Sequence, residues 1–144
     1  MAKLIAARSA QTVLSAEVTF NFDDTAETTT GTTVDFGKVN TASSAFDFIP
    51  LPAGATVIGG EVETLAVFDA ATYNISVGDA TSAARYLGAT DRKAVGRTPL
   101  VPTGFVSTGE KVRVTVVPAD ACTTGKATVR IMYTIKDRTS EIYL

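Results

Sequence analysis

Apolar and polar residues alternate with a period of two along much of this chain. Leu14, Ala16, Val18, Phe20 and Phe22 alternate with Ser15, Glu17, Thr19 and Asn21. Tyr73, Ile75 and Val77 alternate with Asn74, Ser76 and Gly78, and Val112, Val114 and Val116 with Arg113 and Thr115. Ala127, Val129, Ile131, Tyr133 and Ile135 alternate with Thr128, Arg130, Thr134 and Lys136. In an extended chain this puts one set on a core face and the other towards water, whereas a helix would scatter both around its circumference.

Shorter runs at Val34–Val39 and Ala45–Leu51, and over residues 85–89 and 98–106, predict further strands. Thr56–Phe68 predicts a long one whose Gly59-Gly60 marks a bulge or a close backbone approach. Thr28–Thr33 has no apolar residue and reads as a mobile loop. Pro118–Gly125 is expected to join the last two long strands as a hairpin. Asp79–Ala84 predicts a helical turn with Asp79 as its N-cap. The sum is eight to nine strands with turns every 8–12 residues, an all-β, two-sheet antiparallel sandwich. A jelly roll is the first expectation and an immunoglobulin-like topology the alternative. One domain is expected over residues 1–144, with 1–12 and 136–144 as extended arms.

Composition supports this pattern. Hydrophobic residues make up 45% of 144, enough for a core, and the abundant Thr and Val favour pleated strands over helices. The net charge is −2, so nothing global calls for nucleic acid. The distribution is uneven: residues 1–84 carry three basic and ten acidic residues, a net of −7, and residues 85–144 ten basic and five acidic, a net of +5. The halves either neutralise one another in the folded domain or give it an acidic and a basic side suited to protein contacts. No secretory signal is expected, since Leu4–Ala7 is short and flanked by Lys3 and Arg8. No apolar run reaches the ~20 residues of a membrane helix.

Candidate chemistry is sparse. There is no histidine, which removes the Ser–His–Asp and Cys–His arrangements and the commonest metal ligand. Cys122 is the only cysteine, so no disulfide closes within the chain and zinc is not expected; a free, inert thiol is. Asp23, Asp24 and Glu27 lack the D-x-D-x-D spacing of a calcium loop and read as a solvated cluster. Glu61 and Glu63 share one strand face rather than opposing across a cleft, which fits surface acids better than a glycosidase. No catalytic, cofactor-binding or metal residue is expected, and an enzyme is the last-ranked reading. Arg85, Arg92, Lys93 and Arg97 form the densest basic stretch and are candidate partner contacts. So is the apolar tip Ile142, Tyr143 and Leu144, which follows charged Lys136-Asp137-Arg138.

Four phrases carry a resemblance: Ile49–Gly60, Tyr73–Asp79, Ala84–Leu87 and Ala127–Tyr133, together spanning roughly residues 45–136. They resemble small virion proteins of tailed bacteriophages, most closely the capsid cement or decoration proteins with a jelly-roll fold. The resemblance implies a structural protein on the outside of the capsid that stabilises contacts between major capsid protein subunits. Its implied partners are the major capsid protein and itself, as homodimer or homotrimer, with no direct nucleic acid and no membrane. Its implied location is the virion exterior, after assembly in the host cytoplasm. The alternatives are a phage tail, baseplate or head-completion subunit, and a carbohydrate-binding β-sandwich module. The last ranks lower because Trp is absent and only Tyr73, Tyr86, Tyr133 and Tyr143 offer a platform.

Overall fold

The computed structural model describes residues 12–135. Ten strands follow in chain order: β1 Leu14–Asn21, β2 Thr25–Glu27, β3 Thr33–Asp35, β4 Ser44–Pro50, β5 Ala55–Ala66, β6 Tyr73–Gly78, β7 Leu87–Asp91, β8 Gly96–Pro99, β9 Lys111–Pro118 and β10 Lys126–Ile135. Eight of them form two four-stranded antiparallel sheets, β1-β10-β5-β8 and β4-β9-β6-β7, and β2 and β3 form a separate hairpin. The first strand of the sandwich pairs with the last, and the second with the penultimate. Every connection between these eight strands crosses from one sheet to the other, except the β6–β7 turn. That is the jelly-roll order, and it sets aside the immunoglobulin-like alternative, in which early strands pair within one sheet.

The alternation read from the sequence lands on the core as expected. Phe20, Val129 and Ile131 from one sheet face Phe46, Tyr73, Ile75, Val77, Val112, Val114 and Val116 from the other, all buried. Aromatic rings run through this core in contact. Tyr73 stacks on Phe68 with centroids 3.8 Å apart, Phe20 on Phe36 at 4.5 Å, and Phe36 meets Phe46 at 4.5 Å. The Tyr73 hydroxyl donates to the Phe36 carbonyl at 2.6 Å, so its burial leaves no unmet donor. Truncating a ring such as Phe36 to Ala would cost about 3–5 kcal/mol.

Gly59-Gly60 marks both features expected of it. The β5–β10 register shifts between Met132 and Tyr133, which leaves Ile58 as the extra residue of a bulge. Gly60 has φ +134°, and a Cβ there would lie 2.2 Å from the Arg130 carbonyl oxygen. Only glycine lets β5 approach β10 so closely.

The structure corrects four expectations. Pro118–Gly125 is not a hairpin, because β9 lies between β4 and β6 while β10 lies between β1 and β5. The segment crosses between sheets, pinned by Ala119 N–H to the Thr72 carbonyl and Cys122 N–H to the Gly37 carbonyl. No helical turn forms at 79–84. Asp79 does accept from the Thr81 and Ser82 amides as an N-cap would. However, Tyr86 N–H already bonds the Val77 carbonyl, so the chain must reverse in place. Thr28–Thr33 is the tip of the β2–β3 hairpin, closed by Thr28 N–H to the Thr32 carbonyl and tied to β4 by Thr29 N–H to the Ala45 carbonyl. The strand expected over 34–39 ends at Asp35, whose carboxylate gathers the amides of Gly37, Val39 and Asn40 into a turn. The arms at 1–12 and 136–144, and with them Ile142, Tyr143 and Leu144, lie outside the described residues but for Thr12.

Candidate functional site

The sequence-adjacent basic residues are dispersed by the fold. Arg85 lies beyond the Gly78 end of β6, and Arg92 at the other end, where its amide bonds the Tyr73 carbonyl. Six residues of strand, about 20 Å, separate the two. Arg97 belongs to the other sheet, on β8. The basic stretch is therefore not one patch.

Their roles differ as well. Arg85 donates through Nε to Asp79 Oδ2 at 2.5 Å, and its guanidinium lies 3.6 Å above the Phe105 ring. Burial pushes the Asp79 carboxyl up, but the bonds from Arg85, Thr81 and Ser82 outweigh it and hold the carboxyl below its ordinary value. Arg85 thus fastens the β6–β7 turn to the 100–110 segment. In that segment Glu110 accepts from Thr108 and Ser107, and these bonds lower its carboxyl to about 2. Lys93 Nζ donates to the Ala71 carbonyl at 2.8 Å. Arg92 alone among the described arginines has no ion pair, and its Nε is buried without a hydrogen-bond partner.

Arg97 enters a charge ladder across the outer face of the β1-β10-β5-β8 sheet. Alternation sends Glu17 of β1, Arg130 of β10, and Glu61 and Glu63 of β5 to that face, and registry sets Glu17 opposite Arg130 and Arg130 opposite Glu61. Arg130 reaches Glu17 at 2.8 Å and Glu61 at 2.5 Å, while Arg97 reaches both Glu61 and Glu63 at 3.3 Å. The two carboxylates of β5 are thus neutralised by arginines on either side, as surface acids. The most exposed charges stand at the two edges, Glu17 at 56% and Arg97 at 65%.

The same face carries apolar residues that are not among the contacts expected from the sequence. Ile58, Leu65 and Met132 are exposed on its strands, flanked by exposed Val13, Val67, Val95 and Val106. The signal was present. Met132 occupies the outward register of Thr128, Arg130 and Thr134, and Leu65 that of Glu61 and Glu63. An apolar residue in a polar register marks an outer face with something to cover.

Elsewhere the described surface has two neighbouring open grooves beside the β2–β3 hairpin. One, of about 320 Å³, is lined by Thr28, Thr30, Thr32, Asn40 and Ser43; the other, of about 340 Å³, by Glu27, Thr29, Asp47 and Lys111. The first is hydroxyl-rich and the second mostly charged, and neither is lined by an aromatic ring that could serve as a sugar platform. Among the described residues no group of three or more His, Cys, Asp or Glu is placed to hold a metal ion. Cys122 is buried, and burial pushes its thiol up, away from the reactive thiolate.

No protein-family model and no curated protein matches the chain. Solved structures do. The chain is similar, at 24% identity and a TM-score of 0.62, to a chain of the cyanophage Pam1 capsid asymmetric unit, covering 93% of this chain and 94% of that one. It is similar to a chain of the acid-stable capsid of Helicobacter pylori bacteriophage KHP30 at 21% identity and a TM-score of 0.60, over 85% and 87% of the two chains. A chain in the capsid of Ralstonia phage GP4 matches at 14% identity and a TM-score of 0.52, over 94% and 90%. At these identities the likeness is one of fold.

Proposed function

We propose that this chain is a structural component of a bacteriophage capsid, an accessory protein that binds the outside of the shell and stabilises contacts between neighbouring major capsid protein subunits. The observation that carries the reading is the near-complete mutual coverage with a chain of the Pam1 capsid asymmetric unit. Coverage that high in both directions means that the likeness runs over nearly the whole of both chains and not over a shared fragment. The jelly roll suits the task physically: it is a rigid two-sheet body with broad outer faces. Each contact can be weak, because many copies on a lattice act together. Arg92, whose guanidinium has no carboxylate of its own, and the segment ending Ile142-Tyr143-Leu144 are the contacts proposed for the shell.

The test is reconstitution. Purified chain is added to shells assembled without it, and the shells are sedimented and heated. The reading predicts co-sedimentation at a copy number comparable to that of the coat protein, and shells that open at a higher temperature. No binding to intact shells would overturn it. For the tail, removal of residues 136–144 is expected to weaken shell binding while the domain still folds; unchanged binding would remove the tail from the contact.

A further inference from the structure

We infer that the outer face of the β1-β10-β5-β8 sheet binds a second copy of this chain across a two-fold axis parallel to its strands. The face carries its own complement. Glu17 stands on one edge strand, β1, and Arg97 on the other, β8, each the most exposed member of the ladder. A two-fold axis lying in the face and running along the strands between β10 and β5 exchanges the two edges. It sets Glu17 of each copy over Arg97 of the other, and leaves position along the strands unchanged. Arg97 stands in the row of Glu63, two residues along the strand from the row of Glu17, and its guanidinium reaches back to Glu61 of the Glu17 row at 3.3 Å, so its long side chain comes within reach of its opposite number.

The apolar residues obey the same symmetry. At one end of the face lie Val13, Ile58, Met132 and Val106, and at the other Leu65, Val67 and Val95, with the charge ladder between. Because the axis runs along the strands, each apolar cluster meets its own copy. An interface of this kind is isologous and closes as a dimer. Four strands, about 19 Å across and about 26 Å long, give a footprint of about 500 Å². That is below the ~800 Å² per partner of a stable complex, so the dimer is weak and concentration-dependent. The inference concerns self-association alone and stands apart from the shell reading.

Sedimentation equilibrium of the full chain over a wide concentration series tests it. The expected mass rises from 15.0 kDa towards twice that value and falls back on dilution. Glu17→Arg and Arg97→Glu are each expected to abolish the rise, and the double exchange to restore it. Within one chain these residues are three strands apart, about 14 Å, and do not touch, so restoration by the double exchange supports a direct pair between copies. A mass that stays monomeric at every concentration, or settles at three copies, overturns the inference. So do single exchanges without effect and a double exchange that stays monomeric. A dimer seen only after deletion of residues 136–144 also overturns it, because the tail would then be what covers the face. Binding to shells by a strictly monomeric chain would defeat this inference alone.

Discussion

The two outer faces of the sandwich are built from the same kind of strand yet differ in what they leave exposed. On the β1-β10-β5-β8 face, Ile58, Leu65 and Met132 stand in solvent around a ladder of five charged residues. Among the described residues no large apolar side chain is exposed on β4, β6, β7 or β9. Among the described residues that face carries one cross-strand ion pair, Asp47 with Arg113 at 2.9 Å, beside Asn74, Ser76 and Thr115. Burial of the inner faces is alike, so the core does not explain the difference. Solvent alone would favour polar residues on both sides. The first face is therefore where contact with another chain is expected, and the second offers no exposed large apolar residue on its strands for one.

The largest test of this contrast is on the backbone. Gly60→Ala drives a Cβ into the Arg130 carbonyl and is expected to destabilise the fold by about 3 kcal/mol or more in urea unfolding. Gly88→Ala on β7, where a Cβ meets nothing, is expected to be neutral or to stabilise by less than about 1 kcal/mol. Equal losses would mean that the sheets are not held differently.

Next in size is association. Met132→Asp is expected to weaken self-association tenfold or more, about 1.4 kcal/mol, with the fold intact. Thr115→Asp on the opposite face is expected to leave it unchanged in the same sedimentation series. Equal effects on both faces would erase the distinction between them.

The ladder itself contributes less. Arg130→Ala is expected to lower the urea midpoint more than Arg113→Ala, since Arg130 serves Glu17, Glu61 and Glu63 while Arg113 serves Asp47 alone. Added salt is expected to shrink the gap.

The smallest effect is in acid. Asp79 has its carboxyl lowered in the fold, so it contributes stability above its unfolded value of 3.8, and that contribution fades as pH falls through the lower folded value. Asp79→Asn should therefore flatten the acid limb of a pH–stability curve below about pH 4 and move neither face's association. An unchanged acid limb would remove Arg85–Asp79 from the account.

The strands were legible and their partners were not. Period-two alternation placed β1, β6, β9 and β10 to within a residue or two, because one buried face demands it. Nothing local says that β9 and β10 join different sheets; that is fixed by long-range pairing, and the expected hairpin failed for this reason. β2 is not legible and β3 is placed only in part, as the start of a run expected over 34–39, because three-residue strands of mostly Thr, Glu and Asp carry little alternation to read. Among candidate contacts, Arg85, Arg92, Lys93 and Arg97 are close in sequence, but β6 and the crossing into β8 carry them to separate places. Met132 and Leu65 are readable as apolar residues in polar registers, but alternation on its own points to the core and not to an outer face.

Imaging intact particles that contain this chain tests the central claim most directly. The account predicts jelly-roll density on the outer surface of the shell, at high copy number, bridging neighbouring coat-protein subunits. Density confined to the tail or connector, or no association with a shell, would contradict it.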